Sequence, residues 1–310
     1  MADEICVAYL LCRVADTVED AQHVPAGTAV QLLQLYSRAL DPDSPDTIAD
    51  FRSAVDPWIP ASPSADWQVV DHAPRILDTF EALPEASQMI IRPSVQELTD
   101  GLAIFVDRYI DEGGLRIQTF DELEQYCWYA AGTVGNFVTD LIARDRAFTV
   151  TETVRDDARS FALLLQLVNV AKDVYADFHE ENNVYVPLEL FAAHDLAPAD
   201  IENRPDGQCF APVIKQVVER AESYLNGAQA WLESAPTVRG YRSAAGGVPY
   251  LLAVATIREL SCRSAAVVTE RPVKISREEV HTVLAQFSGN TDPSLDELRR
   301  TIRQRPLHEI

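Results

Sequence analysis

Lysine is almost missing from this chain. Lys172, Lys215 and Lys274 are the only lysines among 310 residues, and every other cation of fixed charge is an arginine. Lys and Arg total 26 against 48 Asp and Glu, a formal net charge of −22. A field of that sign repels nucleic acid and anionic membrane surfaces. It suits solubility where counter-ions are abundant, so a salt-rich cytoplasm is expected, with a moderately acidic mesophile protein as the alternative. Long hydrophobic runs are also lacking. The longest, such as "FALLLQLVNVA", fall well short of the ~18–20 residues that span a bilayer. The opening "MADE" has no basic region of a secretory signal, and a cytoplasmic location with at most peripheral membrane contact is expected. The five cysteines, Cys6, Cys12, Cys127, Cys209 and Cys262, contain no CxxC pair. They read as reduced thiols, mostly core filler. There is no GxxxxGKS or GxxxxGKT loop and no GxGxxG, so nucleotide-hydrolase and dinucleotide-fold readings lack their main support. Nothing suggests a Ser-His-Asp or Cys-His nucleophile.

What remains is apolar and helical. Apolar residues make up 47% of the chain, ample for a core. "AVQLLQLYSRAL", "ELTDGLAIFVDRYI", "LEQYCWYAAGTVGNFVTDLIA", "ARSFALLLQLVNVAKDVYADF", "APVIKQVVERAESYLNGAQAWLESA" and "VPYLLAVATIRELSCRSAAVV" all repeat apolar residues at helical spacing. No train of alternating strands is visible. Residues 41–75, rich in Pro, Asp and Ser, read as a long connection carrying a short helix. "HEENNVYVP" and "LAPADIENRPDG" mark two further breaks. The expectation is an all-α, single-domain helical bundle over residues 1–310 with a central cavity.

Two carboxylate clusters interrupt the apolar helices. "VADTVED" crowds Asp16, Glu19 and Asp20 together, and "NVAKDVYAD" holds Asp173 and Asp177. Asp16 and Asp20 are four apart, as are Asp173 and Asp177, so each pair shares a helix face, and Asn169 extends the second stripe. Like charges at that spacing destabilise a helix by about 0.2–0.5 kcal/mol. Arg13 flanks the first cluster and Lys172 the second. Three readings compete. The clusters are solvated surface faces; or they form a carboxylate-bridged di-iron site, for which the chain offers one Glu-x-x-His, Glu278 to His281; or they form a Mg²⁺–diphosphate site, since Mg²⁺ takes oxygen ligands, keeps waters and binds through one or two carboxylates plus phosphate.

Four blocks in this order resemble the squalene/phytoene synthase family, with its squalene synthase branch the nearer match. They are "YLLCRVADTVED", "YCWYAAGTVG", "LQLVNVAKDVYADFHEENNVYVP", and "VPYLLAVATIREL" followed by "VKISR". The acidic form resembles the haloarchaeal version. The resemblance implies an all-α isoprenoid synthase fold and a role for each matching residue. Asp16, Glu19, Asp20, Asp173 and Asp177 would hold Mg²⁺. Tyr9, Arg13, Asn169 and Lys172 would contact diphosphate or order the metal shell. Tyr126 matches the catalytic tyrosine. Lys274 with Arg277 or Ser276 matches the region that binds the phosphates of NADPH, and Arg13 is a further candidate there. Gly132 and Gly135 serve either close helix packing or a bare face beside a prenyl chain.

The implied activity is Mg²⁺-dependent condensation of two farnesyl diphosphates through presqualene diphosphate, then NADPH-dependent reduction to squalene. Two alternatives stay open: a phytoene or dehydrosqualene synthase working without NADPH, and an impaired family member acting as a binding protein. No obligate protein partner is implied. Two departures stand out. Asn182 and Asn183 occupy a region where the family commonly has an arginine, so a basic diphosphate contact is lost or supplied from elsewhere. The resemblance also implies an additional N-terminal helix with a Ser/Arg motif, which this chain, opening just ahead of "ICVAYLLC", is expected to lack.

Overall fold

Helical spacing becomes sixteen α-helices among the residues described by the computed structural model, which are 1–146, 149–203, 207–234, 243–269, 273–288 and 294–309. The first eight are α1 (Ala2–Glu19), α2 (Ala26–Ala39), α3 (Ile48–Val55), α4 (Ala65–Asp71), α5 (Ala73–Glu81), α6 (Glu85–Arg108), α7 (Phe120–Cys127) and α8 (Thr133–Arg146). There follow α9 (Glu152–Glu181), α10 (Leu188–Ala193), α11 (Asp200–Asn203), α12 (Ala211–Ser223), α13 (Leu225–Ser234), α14 (Val248–Arg263), α15 (Arg277–Gln286) and α16 (Leu295–Gln304). Hydroxyl caps start several of them: Thr119 for α7, Thr151 for α9 and Ser276 for α15 each accept a backbone N–H of the first turn. Each satisfies a donor that the helix itself leaves orphaned. The fold is all-α, and the one β-type pairing among the described residues is an isolated parallel bridge between Arg116 and Val184. No described helix is long and apolar enough to cross a membrane.

Two groups of helices share the core. α1 packs on α2, α4, α5 and α6, while α9 packs on α7, α8, α12, α13 and α14. α6 touches α8, and α8 touches α9, which joins the groups. The core runs through both, with Leu33, Phe51, Phe80 and Phe105 on one side and Leu164, Phe210, Val217 and Tyr250 on the other. α1 is pinned at its amino end by a buried Glu4, which accepts a two-point pair from Arg144 of α8 at 3.0 Å and a hydrogen bond from Ser87 of α6.

The structure departs from the sequence reading at four places. Residues 41–75 are more than a connection with one short helix. They fold α3, a tight turn at Asp56–Trp58 and α4 onto the bundle, because Phe51, Val55, Trp67 and Val70 bury themselves. The long periodic run from Ala211 breaks at Tyr224, whose hydroxyl is drawn to Glu124 of α7 at 2.5 Å. The run through "YCWYAAG" contains a wide π turn, Trp128–Gly132, between α7 and α8. Of the five free thiols only Cys12 and Cys127 are buried; Cys6 and Cys262 are exposed and Cys209 is half-buried, so core filling describes two of them. Of the break at "LAPADIENRPDG", residues 204–206 lie outside the described residues.

Candidate active site

α1 turns its apolar stripe to the core. Val7, Leu11, Val14, Ala15 and Val18 are buried. Helical geometry then sends Tyr9, Arg13, Asp16 and Asp20 to the other face. α9 does the same: Leu164, Leu167, Val170, Ala171 and Val174 are buried. Asn169, Asp173, Asp177 and Glu181 follow one another at four-residue spacing along its free stripe. Both helices stop at their carboxylates. The Asp20 N–H returns to the Asp16 carbonyl at 2.9 Å, and Asn182 closes α9 in the left-handed conformation at φ 52°. A helix carboxyl end bears about half a negative charge, and an acidic side chain there loses about 0.3–1 kcal/mol where a cation would gain it. α1 has no basic residue in its last turn and α9 only His179.

The two acidic ends feel each other. Burial, then the charge of Asp20, pushes Asp16 up to about 7. Burial, then Asp20 across the gap, pushes Glu181 up to about 8. Burial, then Glu181, pushes Asp177 up to about 9, with Asp20 again contributing. Glu19 and Asp20 are raised as well, chiefly by burial. The nearby cations are already engaged. Arg13 forms a two-point pair with Asp66 of α4, both contacts 2.9 Å, and Lys172 pairs with its neighbour Asp173. Desolvated carboxylates facing one another at two helix ends hold protons near neutral pH unless a strong cation replaces them.

The two helix ends offer hard carboxylate oxygens, the donor type Mg²⁺ takes, but among the described residues no group of three or more His, Cys, Asp or Glu is arranged to hold a metal ion. Mg²⁺ tolerates such an open arrangement because waters and substrate phosphate complete its octahedron. Asp16, Glu19 and Asp20 from one helix, with Asp173, Asp177 and Glu181 from the other, would hold it.

Tyr126 closes the space beside the acids. It sits in the last turn of α7, just before the π turn, a distortion common at functional sites. Its hydroxyl lies 3.3 Å from Glu19 Oε1 and 3.3 Å from the Tyr185 hydroxyl. Its ring stands 5.0 Å from that of Tyr185 and edge-on to Phe105 at 5.3 Å. Burial, then the charge of Glu19, pushes the Tyr126 hydroxyl well above the usual phenol range, so it stays neutral. Asn183 supports the pair. Its amide donates to the Tyr185 hydroxyl at 3.0 Å while its Oδ1 accepts the Leu115 N–H at 2.8 Å. At Asn182, in the region where an arginine is expected, Arg116 donates to the Asn182 carbonyl and, at 2.8 Å, to Asn182 Oδ1.

The remaining residues scatter. Tyr9 is 61% exposed on α1, two turns before Asp16. Asn169 is exposed one turn before Asp173. Lys274 and Arg277 are exposed on either side of the Ser276 cap, and Glu279 ties this segment to Arg258 of α14 through two contacts of 2.8 Å. A Cβ on Gly135 would stand 3.3 Å from the Ala158 carbonyl of α9, and one on Gly132 would strike the Trp128 ring. Both glycines therefore serve packing, not a bare face. Sequence reasoning missed Glu181, Tyr185 and Asp66. Glu181 continues the four-residue stripe after Asp177, and Tyr185 opens the Tyr-x-Pro that follows it, so both left a signal; Asp66 left none.

Fold and site together define an all-α protein built around two facing, aspartate-rich helix ends. The sequence profile of the squalene/phytoene synthase family matches residues 1–279. The chain belongs to that family, whose members are prenyltransferases of isoprenoid biosynthesis. It is 27% identical over 234 residues to a presqualene diphosphate synthase of Botryococcus braunii, covering 73% of this chain and 53% of that one. It is 24% identical over 293 residues to the squalene synthase of Homo sapiens, covering 92% and 63%. The chain thus spans roughly half to two thirds of the length of these curated relatives. The fold superposes on the squalene synthase structure TcSQS with a TM-score of 0.80 at 19% identity, covering 99% of this chain and 84% of that one.

Proposed function

We propose that this protein joins two farnesyl diphosphates head to head and reduces the product to squalene. The observation that carries the reading is the pairing of two acidic helix ends around a space closed by the neutral hydroxyl of Tyr126. Bound Mg²⁺ would supply charge neutralisation for the diphosphate leaving group, and bound NADPH would supply hydride. The chain's own residues do the rest. Asp16, Glu19, Asp20, Asp173, Asp177 and Glu181 would hold the Mg²⁺ that grips the diphosphate end. Arg13 and Lys172 share its charge. Loss of the first diphosphate leaves an allylic cation, the second substrate's alkene attacks it, and a proton departs to give the cyclopropyl intermediate, presqualene diphosphate. Tyr126, whose hydroxyl lies 3.3 Å from Glu19 Oε1, is the candidate to take that proton, with the released diphosphate as its alternative. The cation must be kept from water, which would trap it as an alcohol, and buried apolar residues such as Phe105 and Val174 would serve that end. Lys274 and Arg277 are exposed cations suited to the phosphates of NADPH.

The relative named as a presqualene diphosphate synthase favours a second reading, in which the chain stops at the cyclopropyl intermediate. One incubation separates the readings: farnesyl diphosphate with Mg²⁺, with and without NADPH, followed by product analysis. Squalene formed only with NADPH supports the proposal. Presqualene diphosphate accumulating despite NADPH supports the second reading, a dehydrogenated C30 product formed without NADPH supports a dehydrosqualene synthase, and no turnover with Mg²⁺ present overturns the enzymatic reading.

A further inference from the structure

We infer that Asp66 is a positioning residue that sets the guanidinium of Arg13 for a diphosphate beside Asp16 and Asp20; the inference rests on the diphosphate reading above. The contact is a fork, with Arg13 Nε on Asp66 Oδ1 and Nη2 on Oδ2, both at 2.9 Å. A fork of this kind fixes the plane of the guanidinium as well as its place. It leaves Nη1 outside the pair. Arg13 lies one turn before Asp16, and its charge acts on both Asp16 and Asp20. The Asp66 charge reaches both of them too, so the carboxylate belongs to the rim of this cluster.

Stability does not explain the pair. Arg13 is 31% and Asp66 47% exposed, and ion pairs so open to solvent add little to stability. The support behind Asp66 is nevertheless firm. The next residue, Trp67, is buried and packs at 5.1 Å, tilted by 58°, against His23, whose Nε2 bonds the Trp58 carbonyl at 2.8 Å. Ser64 caps α4 by accepting the Trp67 N–H. α4 therefore holds a carboxylate at a set point over α1, 53 residues away in sequence. A free arginine would lose rotamer entropy on gripping a diphosphate; one already held in plane loses less.

The test is a double-mutant cycle on the full chain. It measures the KM and kcat for farnesyl diphosphate and, by calorimetry, the Kd of inorganic diphosphate with Mg²⁺. Asp66→Asn is expected to raise KM and Kd about tenfold while kcat stays within about threefold. Asp66→Glu, which keeps the charge, should recover most of the loss. In an Arg13→Gln background, Asp66→Asn should add less than about a twofold change, because a residue acting through Arg13 has nothing left to position. An undiminished effect in that background overturns the inference and makes Asp66 a direct ligand or a fold element. Unchanged KM and Kd in the single variant overturn it as well, leaving a surface latch. Wild-type protein that binds Mg²⁺–diphosphate without consuming farnesyl diphosphate removes the condensation reading, yet the Kd cycle still decides Asp66. Wild-type protein that binds no diphosphate overturns both.

Discussion

The Tyr126 hydroxyl lies 3.3 Å from Oε1 of Glu19, a residue 107 positions earlier in the chain. One contact thus joins the end of α7 to the acidic end of α1, and a phenol to a carboxylate that burial keeps prone to protonation. Tyr126→Phe keeps the ring against Phe105 and Tyr185 and removes only the oxygen. It should lower kcat about 100-fold with little change in KM, the size expected of a lost acid–base group. Initial rates decide this; a fall of less than about fivefold removes Tyr126 from the chemistry.

Asp16→Asn and Asp173→Asn each remove a charge at nearly constant shape. Turnover should be abolished while the circular dichroism spectrum and melting temperature stay close to wild type. Retention of more than about a tenth of the activity, a barrier change of only about 1.4 kcal/mol, would argue against a metal role for either.

The acidic ends also set a pH dependence. Asp16, Glu181 and Asp177 are raised to about 7, 8 and 9 in the folded protein. Unfolded, they ionise near their ordinary values of about 4. Between these limits the folded state binds more protons, so the metal-free protein loses stability as pH rises from about 4.5 through 9. Mg²⁺ binds the ionised carboxylates and should offset that loss. Thermal melts with and without Mg²⁺ at about pH 6 and 9 check both signs. A metal-free melting temperature that rises toward the alkaline end, or a Mg²⁺ effect larger at the acid end, contradicts the account.

On the proposed squalene synthase reading, Lys274→Ala should separate the half-reactions, because only the second would need hydride. Presqualene diphosphate is expected to accumulate while farnesyl diphosphate is still consumed. Equal losses in both steps would mean that Lys274 supports the segment held by Arg258 and Glu279 and not the cofactor.

Salt should stabilise the fold. A net charge of −22 repels itself, and the Debye length shrinks from about 10 Å at 0.1 M to about 3 Å at 1 M. The melting temperature should climb between low and molar KCl. A flat or falling trend would show that the excess charge is already balanced locally, as it is at Glu4, which Arg144 holds down at about 2.

Much of this protein is local and therefore readable in one dimension. Apolar residues at helical spacing place α1, α6, α9 and α14, since burial follows whichever stripe is apolar. The same periodicity puts Asp16 with Asp20, and Asp173 with Asp177, on one face apiece. Their chemistry is legible as well, because carboxylates at the ends of apolar helices are costly without a cation. Tertiary packing decided the rest. Only the stacking of α1 on α6, of α6 on α8 and of α8 on α9 aims two acidic helix ends at one space. Only that packing sets Tyr126 on Glu19, Asp66 on Arg13 and Arg116 on Asn182, contacts that span 107, 53 and 66 residues. Such pairs leave no periodic trace. Their partners are chosen by where the buried faces of other helices come to rest, and the folding of residues 41–75 against α1 shows how a stretch that reads as a connection acquires a part in the site once Trp67 is buried.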